Sequence, residues 1–152
     1  MSRPAARPAH AGHCEAAPVL ARLLEAGTPV RLPVRGRCMR PAVREGDRAL
    51  VARFDAEPRP GQIVLARVGC RLVLHRLVGI DTLGARCRYR LQGDAGSTSQ
   101  AVLSREDLLG QLVAVERAGR LIQVDRRATA LRLQLRRVAF RRGASRLARR
   151  AA

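Results

Sequence analysis

Lysine, asparagine and tryptophan are absent from the 152 residues, and aromatics make up only 2% of them, one Tyr and two Phe. The lack of lysine excludes a lysine general base, a Schiff-base amine and a phosphate-binding loop lysine. So few aromatics imply an aliphatic core and leave no stacking platform of the kind on which single-strand-binding and RNA-recognition domains hold bases. Acidic residues are also scarce, 12 against 30 basic residues, and every basic residue is an arginine. The formal net charge of +18 and an isoelectric point near 11.8 imply attraction to polyanions, whether nucleic acid, anionic lipid or acidic peptide.

Four cysteines, Cys14, Cys38, Cys70 and Cys87, form no C-x-x-C pair. Neither a zinc knuckle nor a redox dithiol is therefore signalled, and reduced thiols in a cytoplasmic protein are expected. His10, His13 and Cys14 form an H-x-x-H-C cluster in a Pro/Ala-rich stretch, without a fourth ligand. No metal site and no cofactor are expected. Arginine interrupts every apolar run before the roughly 18 residues of a membrane span, and no apolar segment follows Arg3 and Arg7 as a secretory leader requires. These features imply a soluble protein.

At this length the chain is long enough for one domain with a substantial core. Residues 1–14 mix Pro, Ala, Arg and His without periodicity and read as a disordered arm. Val19, Leu20, Leu23 and Leu24 then have helical spacing that stops at Gly27, predicting one short amphipathic helix from Glu15. Beyond it lie short apolar or alternating runs at 29–35, 48–54, 62–68, 71–80 and 86–92, separated by glycines and prolines, which predict an antiparallel β domain. Cys70 and Cys87 fall in such runs and read as core residues. Ser104 caps a predicted helical turn over 104–109, and 111–117 with 120–124 reads as a closing hairpin across Ala118-Gly119. The domain is thus expected over 15–124. Residues 126–152 carry ten of the 30 arginines and no acidic residue. Leu131, Leu135 and Val138 share one helical face, and Leu133, Phe140 and Leu147 recur on another. An Arg-rich amphipathic helix or tail is expected over 125–152, either docked on its own domain or offered to an anionic membrane surface, nucleic acid or an acidic partner.

The segment richest in chemistry is Val34-Arg35-Gly36-Arg37-Cys38-Met39-Arg40-Pro41, followed by Gly46-Asp47. Downstream stand Pro60-Gly61-Gln62, then Leu74-His75-Arg76, then Gln92-Gly93-Asp94, then Gly110-Gln111. In this order and spacing the boxes resemble the clan of type I signal peptidases and LexA-type self-cleaving repressors, over about residues 30–115. There a G-x-S-M-x-P box carries the nucleophile, a K-R or H-R dipeptide on a later strand carries the base, and a G-D box follows. The H-R form looks like the archaeal and endoplasmic-reticulum branch, in which His replaces Lys. The resemblance implies a mainly β, LexA/signal-peptidase-like domain.

Cys38 stands where the family has its serine. A thiol can do the same work, with His75 taking its proton and the thiolate attacking a peptide carbonyl, and Arg35, Arg37 and Arg40 favour the anionic sulfur. Asp94 matches the family's G-D aspartate and is implied to orient His75. The second aspartate common in the His-type branch is missing from Ala95-Gly96-Ser97-Thr98-Ser99. Gly36, Met39 and Pro41 match positions that shape the turn and the substrate groove, and the oxyanion would be met by the backbone N–H of Cys38. Arg76 is read as structural, bonding backbone carbonyls. The resemblance implies endopeptidase cleavage of an extended peptide by Cys38, His75 and Asp94. Two further readings stay open: a catalytically degenerate peptide-binding module of the same fold, and a basic protein that binds nucleic acid or an anionic surface.

Overall fold

A computed structural model describes residues 12–96 and 100–124. Alternating apolar and polar residues between turn-forming glycines make about half of it sheet, with one helix packed on top.

Helix α1 spans Gly12–Glu25. It starts three residues before the expected Glu15, because the first turn of a helix needs backbone geometry rather than an apolar face. Ala17, Leu20 and Leu24 are buried, whereas Val19 and Leu23 face outward, so only part of the apolar spacing marks the packed side. The strands follow as β1 (Val30–Pro33), β2 (Arg48–Ala52), β3 (Ile63–Val68), β4 (Arg71–Leu83), β5 (Arg86–Gln92), β6 (Gln100–Leu103), β7 (Leu108–Arg117) and β8 (Arg120–Gln123).

All strand pairs are antiparallel, in the spatial order β1-β2-β7-β3-β4-β5-β6, with β8 also on β7. The mainly β expectation is met. β7 is the spine: β2 lies along one of its edges, and β3 and β8 share the other. The β7–β8 hairpin turns over Ala118 and Gly119, both left-handed at φ 48° and 74°, the geometry a two-residue turn needs to follow the strand twist.

The central strands β2, β3 and β7 are buried on both faces. Leu20 and Leu24 of α1 pack with Val30, Met39, Val43, Ile63, Leu65, Leu112 and Val115. Opposite them, Val64, Ala66, Leu77, Tyr89, Leu91 and Leu108 form a second cluster.

Three differences from the sequence reading have local causes. β6 was not anticipated, because Gln100-Ala101-Val102-Leu103 is too short to alternate visibly, and pairing with β5 defines it. A single 3-10 turn at Arg105–Asp107 begins at Ser104, but the Ser104 hydroxyl donates to the Asp107 and Glu106 carboxylates instead of accepting from a helix N–H. Cys70 and Cys87 are exposed and not core. Cys70 lies in the two-residue turn between β3 and β4, and Cys87 on the outer stretch of the β4–β5 ribbon, beyond the parts of the two strands that β3 and β6 cover. The expected Arg-rich helix at 125–152 lies outside the described residues, as do residues 1–11 of the arm expected over 1–14, His10 among them. Residues 12–14 of that arm, with His13 and Cys14, are instead the start of α1, because the helix runs back past its first apolar position.

Candidate active site

The loop that carries Cys38 is held from two sides. At its base Asp47, only 2% exposed, takes a two-pronged ion pair from Arg117 of β7, Nε to Oδ1 at 2.8 Å and Nη2 to Oδ2 at 2.7 Å. The Asp47 carboxylate also accepts the Arg44 N–H at 2.8 Å, and Val34 N–H donates to the Asp47 carbonyl at 2.9 Å. The Arg117 hydrogen bond, chiefly, holds the Asp47 carboxyl below its ordinary value against the opposing effect of burial. At the tip, Met39 is 3% exposed within the core below α1, and Val43 N–H donates to the Met39 carbonyl at 2.9 Å. Met39 thus anchors the loop from beneath. Gly36, at φ 86°, and Pro41 are exposed on the loop with Cys38.

Cys38 is fixed against the G-D box. The Ala95 N–H donates to the Cys38 carbonyl at 2.9 Å. A Cβ on Gly93 would stand 2.7 Å from that carbonyl oxygen and 3.2 Å from the Cys38 Cβ, so glycine is required for the approach. The β4–β5 ladder ends with Arg76 facing Gln92, so His75 and Gly93 each lie one residue beyond its last pair. The segments carrying Cys38, His75 and Asp94 therefore converge where β5 ends.

His75 sits half-buried on β4, opposite Val64 of β3. Its Nδ1 is buried, with no hydrogen-bond partner among the described residues. Burial pushes the imidazole below its ordinary value of 6.5, and the Asp94 charge offsets part of that shift. Burial thus favours the neutral ring, the form able to accept a proton. Among the described residues no hydrogen bond joins it to the Cys38 thiol; such bonds are often long in ligand-free sites and tighten around substrate.

Asp94 does not make the hydrogen bond to Nδ1 that orienting His75 would require. Both of its oxygens are taken by Arg76, Nε to Oδ1 at 2.8 Å and Nη2 to Oδ2 at 2.6 Å. Arg76 also donates to the Gly61 carbonyl at 2.7 Å, as its structural reading anticipates, but the Asp94 partnership went unforeseen. Asp94 therefore acts on His75 through charge, while its geometry ties β5 to the turn before β3.

Sequence reasoning missed two further supports. Asp47 was recognised only as part of a box, and its partner Arg117 is 70 positions away, beyond any local pattern. Gln111, 2% exposed, donates to the Arg53 carbonyl and to Asp55 and accepts from Gln62, joining the Gln62 and Gln111 boxes across β3 and β7. No group of three or more metal-ligating side chains occurs among the described residues. Nor is any helix there long and apolar enough to cross a membrane.

Compared with known proteins, the chain matches no family model, and no curated protein matches it.

Proposed function

We propose that the chain is a cysteine endopeptidase with a LexA/signal-peptidase-like domain, cleaving a peptide or precursor protein with Cys38 and His75. The observation that carries the reading is a half-buried imidazole whose Nδ1 has no partner among the described residues, on the strand beside the glycine that admits the Cys38 loop. A second feature supports it. β4 is paired with β3 from Arg71 onward but with β5 only from Arg76, so among the described residues Leu72–His75 has one edge without a strand. An extended peptide added there would run past both groups.

His75 takes the thiol proton, and the sulfur attacks the scissile carbonyl carbon. The backbone N–H of Cys38 stabilises the oxyanion, and collapse of the intermediate breaks the C–N bond as His75 returns its proton to the leaving amine. Water then hydrolyses the thioester, with His75 again as base. Asp94, held by Arg76, favours the protonated ring during each transfer. Met39 seats the loop, while Gly36 and Pro41 shape its outer surface. A soluble, cytoplasmic maturation protease suits these features, with the Arg-rich residues 125–152 available for an anionic membrane surface or nucleic acid.

The test is digestion of a degenerate decapeptide mixture by the full chain, read by mass spectrometry. Cleavage that disappears in Cys38→Ala and His75→Ala is expected; cleavage that persists in Cys38→Ala overturns the mechanism. The missing thiol–imidazole hydrogen bond favours a second reading, a peptide-binding module that has lost catalysis, for which the Cys38→Ala variant keeps full binding and function.

A further inference from the structure

The Cys38 loop is electrostatically lopsided. Arg35, Arg37, Arg40 and Arg44 are all exposed along it, and Glu45 is its one exposed acid. Glu45 is already engaged, accepting the Gly36 N–H at 3.4 Å and lying 4.0 Å from the Arg37 guanidinium. The other carboxylates nearby are spent on structure, Asp47 on Arg117 and Asp94 on Arg76. Arg35 and Arg40 have no ion pair among the described residues. Three cationic side chains thus stand within three positions of the thiol, and two of them are unneutralised.

Whatever lies in extended form beside Cys38 must pass this collar. We infer that the site selects acidic peptides, with Asp or Glu on the residues flanking the bond presented to Cys38. This deepens the peptidase reading and rests on its placement of the site. An acidic peptide satisfies both features at once: its backbone adds to the open edge at Leu72–His75 and its carboxylates meet the arginines, for which planar, two-pronged pairing is the natural geometry. A single-stranded nucleic acid would also answer the charge, but it has no strand to add, and the loop carries no aromatic side chain for its bases to stack on.

The experiment reads protection and not cleavage, so its failure is separable from failure of the peptidase mechanism. The full chain is alkylated with neutral iodoacetamide, and the rates at Cys38, Cys70 and Cys87 are followed by peptide mass spectrometry. Additions are a ten-residue alanine-based peptide bearing four glutamates, the same peptide with four lysines, and a ten-nucleotide oligothymidylate. The acidic peptide is expected to slow Cys38 about tenfold while sparing Cys70 and Cys87, with protection fading as salt is raised. Cys87 is a stringent control because Arg86 and Arg88 flank it. In Arg35→Gln/Arg37→Gln/Arg40→Gln, three exposed changes that leave the core untouched, the protection is expected to vanish. Equal protection by the lysine peptide, no protection by any peptide, or stronger protection by the oligonucleotide overturns the inference. If the acidic peptide protects but is never cut, the binding inference stands and the peptidase mechanism falls.

Discussion

The fold shifts both His75 and Asp47 from their ordinary values, and each makes a pH prediction of known sign. Burial lowers the His75 value below 6.5, so below that pH the unfolded chain takes up a proton before the folded one. Stability is expected to decline as pH falls through 6.5 and to level off once the folded ring is itself protonated. An NMR titration should place the His75 midpoint below 6.5, and Asp94→Asn should move it lower still, because the attraction opposing burial is removed; a midpoint that rises in Asp94→Asn contradicts the assignment. Asp47 contributes in the carboxylate range. Its native value is depressed, chiefly by the Arg117 hydrogen bond, so its contribution is complete above 3.8 and lost as pH falls through the lowered native value. Asp47→Ala strands the Arg117 cation against the loop and should cost about 3 kcal/mol in urea unfolding, whereas an exposed ion pair such as Arg37–Glu45 should give less than about 1 kcal/mol.

Two glycines separate the roles of the elements. Gly110, in the interior of β7, would place a new Cβ 2.6 Å from the Ala52 carbonyl oxygen and 3.1 Å from Leu24 of α1. Gly93 would place one 2.7 Å from the Cys38 carbonyl oxygen. Both obstacles include backbone, so both alanine variants should lose about 1–3 kcal/mol. Only Gly93→Ala should change the alkylation rate of Cys38 relative to Cys70, because only it displaces the loop; a matching change in Gly110→Ala would show that Cys38 reports global loosening. At this scale the chain was largely readable. Alternation and glycine turns locate β1, β2, β3, β5, β7 and β8 to within a few residues, since burial of alternate side chains is the cause of both the pattern and the strand. β6 escaped because four residues carry too little pattern, and the last three residues of β4 because Asp81-Thr82-Leu83 is held by its partner strand and not by burial. The site was readable in its residue types but not in its partnerships. That Arg76 takes Asp94, and that Arg117 pins Asp47, depends on which strands become neighbours, and no spacing along the chain encodes that.

Across the whole molecule the surplus of 30 basic over 12 acidic residues opposes compaction. Salt should therefore stabilise this protein: between about 0.01 M and about 0.15 M the screening length shrinks from about 30 Å to about 8 Å, and the melting temperature should rise. A fall would mean that the paired arginines, and not the unpaired ones, dominate the electrostatics. The same surplus lines the Cys38 loop with exposed arginines, and the functional account depends on thiol and imidazole acting together. Its most direct test is the alkylation rate of Cys38 at pH 7, compared with Cys70 and Cys87 of the same molecule, which are exposed as well, in the wild type and in His75→Ala. The account predicts that Cys38 reacts faster than both and loses its lead when His75 is removed. A Cys38 that reacts no faster than its neighbours, or that keeps its lead without His75, contradicts it.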